Sequence, residues 1–292
     1  MRSRLSVWIL ITRPLNVALT GLSIGLAAGL VHTSIGCRMV LCALVSGMCI
    51  AAGANVINDV CDVDIDRVNK PQRVLPAGRM SVRAAQLYAI ILFACGIIFS
   101  IFINLPATFI ACGSTIVVIA YSFRFKRQPL IGNLAVSLTT ALAFIYGALA
   151  ACPDAHEMAS FVIAPGGWQA GVFPALLAFL FHFGREIVKD IEDQIGDRAG
   201  HAHTLPLVYG LQAAQIAATV AFVLLAVAAF VPFALGFYHQ PYLWCVLAGI
   251  YPVLVYALFN VWRRPDMDHM RRTSHILKAD MLVGLLAIFV GS

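Results

Sequence analysis

Nine apolar runs, each near the length that crosses a lipid bilayer, dominate this chain of 292 residues. They cover about 14–33, 38–57, 86–104, 107–123, 131–151, 171–188, 212–236, 242–262 and 276–291. A helix needs about 20 apolar residues to span the hydrocarbon core. Lipid cannot satisfy free backbone groups, so a spanning segment must be a helix or part of a closed barrel. These runs are too long and too uniform for barrel strands. Only 12% of the residues are charged and 61% are hydrophobic, with a mean hydropathy of +0.87; soluble domains carry roughly 25% charged residues. The expected fold is an all-α membrane protein, a bundle of about nine transmembrane helices forming a single domain over residues 1–292.

The basic residues give this count an orientation. With nine spans and a cytoplasmic N-terminus, 19 of the 20 lysines and arginines fall in cytoplasmic segments, Arg2 and Arg4 among them, and only Arg38 lies outside. Basic residues collect on the cytoplasmic side as topology is set. The net charge of +6 therefore reads as membrane-surface charge and not as a nucleic-acid footprint. The short N-terminal apolar stretch is broken by Thr12-Arg13-Pro14, so it reads as part of the membrane domain and not as a cleavable signal. The outer connections are short and poor in charge, apart from the one near "CPDAHEMAS". The eight cysteines are scattered without a C-x-x-C pair, so neither a disulfide framework nor a zinc site is expected; Cys61, inside an acidic stretch, reads as packing.

Two inner segments, about 58–85 and 185–210, are long and polar. The first carries Asp59, Asp62, Asp64 and Asp66, and the second Glu186, Asp190, Glu192, Asp193 and Asp197, together nine of the 14 acids. Each follows an apolar helix and precedes a Pro-containing stretch, a repeated plan that would turn two acidic ends toward each other. Asn58, Asp62 and Asp66 stand at i, i+4 and i+8, and Asp190, Asp193 and Asp197 at i, i+3 and i+7, each set on one helical face. Glu186 lies a turn back on the second face, whereas Asp64 and Glu192 point elsewhere. Like charges at this spacing repel, more so where desolvated beside a bilayer. Two such faces call for a cation, and all-oxygen donors suit Mg²⁺ or Ca²⁺. Arg67, Lys70 and Arg73 follow the first acids, Arg185, Lys189 and Arg198 surround the second, and Tyr121, Arg124, Lys126 and Arg127 end the fourth span. Acids that hold Mg²⁺ beside bases that hold phosphate oxygens describe a site for a phosphorylated ligand. A solvated, salt-bridged loop does not account for one-face spacing in two separate segments. A divalent-cation transporter would place its acids near mid-membrane, away from repelling arginines and lysines. An enzyme acting on a phosphorylated lipid remains the leading reading. His182, one turn before Glu186, reads as an interior histidine; His201 and His203 have no ligand spacing; Asn133 reads equally as a cap, a packing residue or a site residue.

These segments resemble a known family. "NDVCDVDIDRVNKPQRVLPAGRMS" resembles the N-x-x-x-D-x-x-x-D signature of the UbiA superfamily of intramembrane prenyltransferases, through Asn58, Asp62 and Asp66. "REIVKDIEDQIGDRAGHAHTLP" resembles its second motif, through Asp193 and Asp197 with Asp190 before them. "YSFRFKRQPLIGN" resembles its Tyr-then-Lys segment, through Tyr121 and Lys126, and "TRPLN" its first-helix motif, ending in Asn16. The resemblance covers nearly the whole chain. It implies Mg²⁺-dependent transfer of an isoprenyl group: the diphosphate leaves, an allylic cation forms, an acceptor attacks it and a proton is lost. It also implies roles. Asn58, Asp62, Asp66, Asp190, Asp193 and Asp197 would hold the metal. Arg67, Lys70, Arg73, Lys126 and Lys189 would contact the diphosphate. Tyr121 would donate to the diphosphate or face the cation, and Asn16 would orient the acceptor. The active site would face the cytoplasm from a multi-pass protein of the cytoplasmic membrane.

Acceptors in this superfamily include aromatic acids and quinone precursors, chlorophyllides and a glycerol phosphate ether lipid. The wording "DIDRVNKPQRVLPAG" and "REIVKDIEDQIGDRAG" is most similar to members acting on the ether lipid, which implies geranylgeranyl diphosphate as donor and geranylgeranylglyceryl phosphate as acceptor. It departs from them at Val74, where proline is usual, and at Gln194-Ile195, where glutamate is common. Homogentisate- or 4-hydroxybenzoate-type prenylation and chlorophyllide esterification are the alternatives.

Overall fold

A computed structural model describes residues 4–31, 37–152, 167–200 and 202–292. Arg2, His201 and most of the "CPDAHEMAS" connection lie outside the described residues. The described residues form helices α1 (Arg4–Ile11), α2 (Pro14–Gly29), α3 (Cys37–Cys61), α4 (Val63–Asn69), α5 (Val82–Ile101), α6 (Leu105–Phe123), α7 (Ile131–Ala151), α8 (Val172–Glu192), α9 (Gln194–Ala199), α10 (Leu205–Tyr209), α11 (Leu211–Ala234), α12 (Gln240–Arg263) and α13 (Met267–Gly291). Eight helices are long and apolar enough to cross a membrane. The ninth expected span is the shorter apolar helix α2. The protein is therefore an all-α, multi-pass integral membrane protein.

Several span boundaries differ from the sequence expectation. Helix α2 stops at Gly29 and not near residue 33. Helix α3 runs past residue 57 to Cys61, and α8 past 188 to Glu192. Helix α13 begins at Met267, well before 276. The last three share one cause: backbone hydrogen bonding carries a helix beyond its apolar stretch, and polar residues such as Met267–His275 leave no hydropathy signal. The start of α13 is set by the Asp266 carboxylate, which accepts from the His269 N–H at 3.1 Å, an N-cap that satisfies one of the unpaired first-turn donors. Ser81 and Asn104 cap α5 and α6 likewise, accepting from the N–H groups of Ala84 and Ala107.

The chain forms two compact units, residues 1–125 with 142–171, and residues 126–141 with 172–292. In the first, α3 packs along α5. Ala43, Ser46, Ile50, Gly53 and Val56 face Ala85, Ala89, Phe93, Gly96 and Ser100, all buried. Most of these are small residues at spacings of three and four, as membrane helices need because lipid tails are as apolar as leucine and only close contact favours association. Leu87, Ile90, Ile91 and Ile98 of α5 point outward. A buried chain of hydrogen bonds ties three helices: the Tyr146 hydroxyl donates to Ser46 Oγ at 2.6 Å, and Ser46 Oγ donates to the Gly96 carbonyl at 2.7 Å. Tyr146→Phe removes the first link only, and is expected to lower stability by about 1 kcal/mol, read as a few degrees in the melting temperature of detergent-solubilised protein. In the second unit, Gly184 of α8 lies against the Phe222 ring of α11. The Gln215 amide reaches the Val261 carbonyl at 2.7 Å, and the Tyr242 hydroxyl the Ala229 carbonyl at 2.7 Å.

Candidate active site

Each acidic segment is a helix that bends at an aspartate without losing its hydrogen bonds. Asp62 separates α3 from α4 with φ −99° and ψ 1°. Asp193 separates α8 from α9 with φ −89° and ψ 6°. Both lie in the bridge region of backbone space, where many active-site residues sit. Through the first bend the Asp62 N–H bonds to Asn58 O at 3.0 Å and the Asp66 N–H to Asp62 O at 2.8 Å. Through the second, the Asp193 N–H bonds to Lys189 O at 2.8 Å and the Asp197 N–H to Asp193 O at 2.9 Å. Four-residue steps are thus preserved, so the motif residues keep a common face.

In the first unit that face is buried. Asp62 and Asp66 are 6% and 4% exposed, and Asp59 beside them is 5% exposed. The Asn58 amide donates to Asp62 Oδ2 at 3.2 Å, which leaves its Oδ1 buried without a hydrogen-bond partner among the described residues. Arg73 donates to Asp66 Oδ2 at 2.5 Å and to Asp59 Oδ1 at 3.4 Å. Arg13, at the α1–α2 junction, also donates to Asp59 Oδ1. Buried carboxylates need such partners, because an unpaired charge away from water is expensive. Asp64 points out, with its side chain 84% exposed, and pairs with the exposed Arg67 at 2.7 Å. Lys70 is exposed. Asn16 is half-buried in the first turn of α2, its N–H bonded to Arg13 O at 2.9 Å. Tyr121 is half-buried near the end of α6.

In the second unit the buried Glu186 accepts from Arg185 Nη1 at 3.0 Å and Lys189 Nζ at 2.8 Å. Asp190 accepts from the buried Asn133 amide at 2.9 Å. Asp193 is exposed and Asp197 half-buried. Burial, and then the Asp193 charge, push the Asp197 carboxyl up to about 6, while Lys126 and Lys189 pull it down. Lys126 sits in the 3₁₀ turn Phe125–Arg127. Glu192, off the acidic face, pairs with Arg271 at 3.2 Å.

Arg13, Asp59 and Asn133 are the contacts that spacing alone does not assign. Their partners are 46 and 57 residues away in the chain. The one available signal is an arginine between two apolar runs, which needs a counter-ion. Among the described residues no three carboxylate, imidazole or thiolate groups form a ready-made metal shell. Mg²⁺ does not require one: it takes one or two carboxylates and fills its octahedron with waters and substrate phosphates. The oxygen-only donor set of Asn58, Asp62 and Asp66, with an unsatisfied amide oxygen in it, fits that ion.

The sequence matches the UbiA prenyltransferase family over residues 16–279. It is 34% identical over 277 residues to a digeranylgeranylglyceryl phosphate synthase of Methanopyrus kandleri, covering 95% of this chain and 96% of the relative. It is 33% identical over 287 residues to one of Thermococcus kodakarensis, covering 97% and 96%. A solved structure described for digeranylgeranylglyceryl phosphate synthase in membranes superposes with a TM-score of 0.77 at 28% identity, covering 99% of this chain and 98% of that one. A UbiA homologue from Archaeoglobus fulgidus bound to GPP and Mg²⁺ shares the fold, with a TM-score of 0.69 at 19% identity over 97% and 99% of the two chains.

Proposed function

Because the chain belongs to the UbiA prenyltransferase family and is a membrane-embedded prenyltransferase, we propose that it joins the geranylgeranyl group of geranylgeranyl diphosphate to geranylgeranylglyceryl phosphate. The C1–O bond of the donor breaks and the diphosphate leaves with its electron pair. The acceptor hydroxyl oxygen closes the new ether bond and gives up its proton. The relatives' names support the acceptor, and the one-faced Asn58–Asp62–Asp66 set, with both carboxylates buried, is the observation that carries the chemistry.

The two units act as one prenyltransferase domain in this reading, and the acids of both segments serve one reaction. Mg²⁺, when bound, supplies positive charge to the departing diphosphate. Asn58, Asp62 and Asp66, with Asp190, Asp193 and Asp197, hold it through oxygen. Arg67, Lys70, Arg73, Lys126 and Lys189 bind diphosphate oxygens, and the fork of Arg73 suits bidentate phosphate contact. Tyr121 donates to the diphosphate, and Asn16 orients the acceptor. The helices exclude water, which protects an allylic cation from capture. The distribution of basic residues supports a cytoplasmic membrane location with the site facing the cytoplasm.

The test is turnover in nanodiscs with radiolabelled geranylgeranyl diphosphate and four acceptors: geranylgeranylglyceryl phosphate, homogentisate, 4-hydroxybenzoate and chlorophyllide. Product is expected with the first. EDTA should lower the rate at least 100-fold and added Mg²⁺ restore it. Product with a ring acceptor instead would replace the acceptor assignment. No product and no diphosphate binding would overturn the reaction itself.

A further inference from the structure

The connection between α12 and α13, within the second unit, lies outside both acidic motifs, and the reaction above uses none of its residues. Its sequence, "FNVWRRPDMDHMRRTSHI", sets Arg263, Arg264, Arg271 and Arg272 within ten positions. Two of these are engaged by the unit itself. Arg264 Nη1 lies 3.4 Å from the His269 ring, and Arg271 Nε donates to Glu192 Oε1 at 3.2 Å. Arg263 and Arg272 are exposed and have neither a hydrogen bond nor an ion pair among the described residues. The nearest acids do not serve them. Asp266 caps α13 and holds the His269 ring, and the exposed Asp268 makes no bond among the described residues. The Asn260 amide reaches Thr273 Oγ1 at 3.2 Å, which fixes the antiparallel register of the two helices close to both arginines. Phe259 stands four residues before Arg263, and Ile276 four after Arg272, each on its arginine's helical face. Both are exposed. Because the helices run in opposite directions, the two apolar side chains lie toward mid-membrane and the two guanidiniums toward one polar end. Trp262, exposed beside them, donates its indole N–H to Thr219 Oγ1 at 2.9 Å, as an aromatic ring does at a lipid–water boundary.

We propose that this outward face of α12 and α13 is a binding site for an anionic membrane lipid. Arg263 and Arg272 hold its head-group phosphate, and Phe259 and Ile276 lie along the first part of its chain. The charge is complementary, and guanidinium forks bind phosphate oxygens in pairs. The apolar half identifies the occupant as a lipid, since a soluble anion gains nothing from Phe259 or Ile276. A lipid whose head group also carries a quaternary ammonium is disfavoured, because that cation meets two arginines without a carboxylate between them. The site is independent of the acceptor assignment: it faces the surrounding bilayer and recognises the charge of a resident lipid, not a reacting group.

The test titrates phosphatidylglycerol or phosphatidylcholine with identical chains into the detergent-solubilised protein and counts bound lipid by native mass spectrometry. Wild type should bind phosphatidylglycerol about tenfold more tightly or better. Arg263→Gln and Arg272→Gln should each weaken that binding about fivefold, the usual effect of one basic residue at a membrane surface, and the double variant about twentyfold. Neither substitution removes a bond among the described residues, so the fold is not at risk. Arg271→Gln is the control. It makes the same change of charge one residue away, but its guanidinium turns to Glu192, and it should shift binding by less than about twofold. Equal loss in Arg271→Gln and Arg272→Gln would reduce the effect to the overall field of a basic surface and overturn the site. Equal affinity for the two lipids overturns it as well. Inorganic phosphate binding to wild type as tightly as phosphatidylglycerol would make the occupant a soluble anion and overturn the lipid assignment.

Discussion

Asp66→Asn is expected to lower turnover roughly a thousandfold, Asp62→Asn to do the same, and Asp64→Asn to stay within about twofold of wild type. The three carboxylates lie within five positions and differ in where the helix points them. Asp62 and Asp66 are on the buried face with Asn58, one hydrogen-bonded to its amide and the other to Arg73. Asp64 is in water, paired with an exposed arginine, an interaction worth little. Replacing one carboxylate oxygen by an amide nitrogen removes a charge that stabilises the departing diphosphate, and losses of 10²–10³-fold are typical for a single electrostatic contact at a reacting centre. Stability separates this from unfolding. Asn at position 66 still accepts from Arg73, and Asp59 remains as that arginine's second partner, so the melting temperature should move little. Equal loss of activity in all three variants would mean that overall negative charge, not its placement on a face, matters.

Gly147→Ala should cost about 3 kcal/mol or more and strongly reduce the yield of folded protein. A Cβ at position 147 would sit 2.2 Å from the Ile24 carbonyl oxygen and 2.9 Å from its carbon. Those are backbone atoms of α2, which cannot rotate away as a side chain would, so helices α2 and α7 must part. Overpacking usually costs 1–3 kcal/mol where side chains can adjust. Gly113→Ala in α6 is the control, since nothing lies within 4 Å of its would-be Cβ. There alanine should be neutral or gain up to about 1 kcal/mol from helix propensity. Similar melting temperatures for the two variants would mean that the close approach of α2 and α7 does not set the cost.

The helical membrane architecture was legible because lipid demands long apolar runs, and hydropathy reads those directly. Helix ends were less so. Residues 267–275 are polar, and only the Asp266 cap marks their start. The spacing of Asn58, Asp62 and Asp66 was legible because i, i+4 is local, and the bend at Asp62 preserves it. Asp59 shows the limit. It lies buried beside Asp62 and Asp66, but its role comes from Arg13 across 46 positions of chain. No local period encodes that contact. Asn133, read equally as cap and site, is likewise explained only by Asp190, 57 positions on.

Arg13 carries a consequence for anyone engineering this chain. It adopts a left-handed backbone, φ 54°, directly before Pro14, a conformation costing an L-residue about 1 kcal/mol. A design rule that installs glycine at every positive-φ position would choose this one early. The rule reads the backbone and is blind to Asp59. Glycine would relax the turn and strand a buried carboxylate on a single partner 3.4 Å away, trading a small local gain for a larger loss elsewhere. Position 13 should therefore be excluded from backbone-directed stabilisation, and a library that includes it will discard improved clones for a reason invisible at that residue.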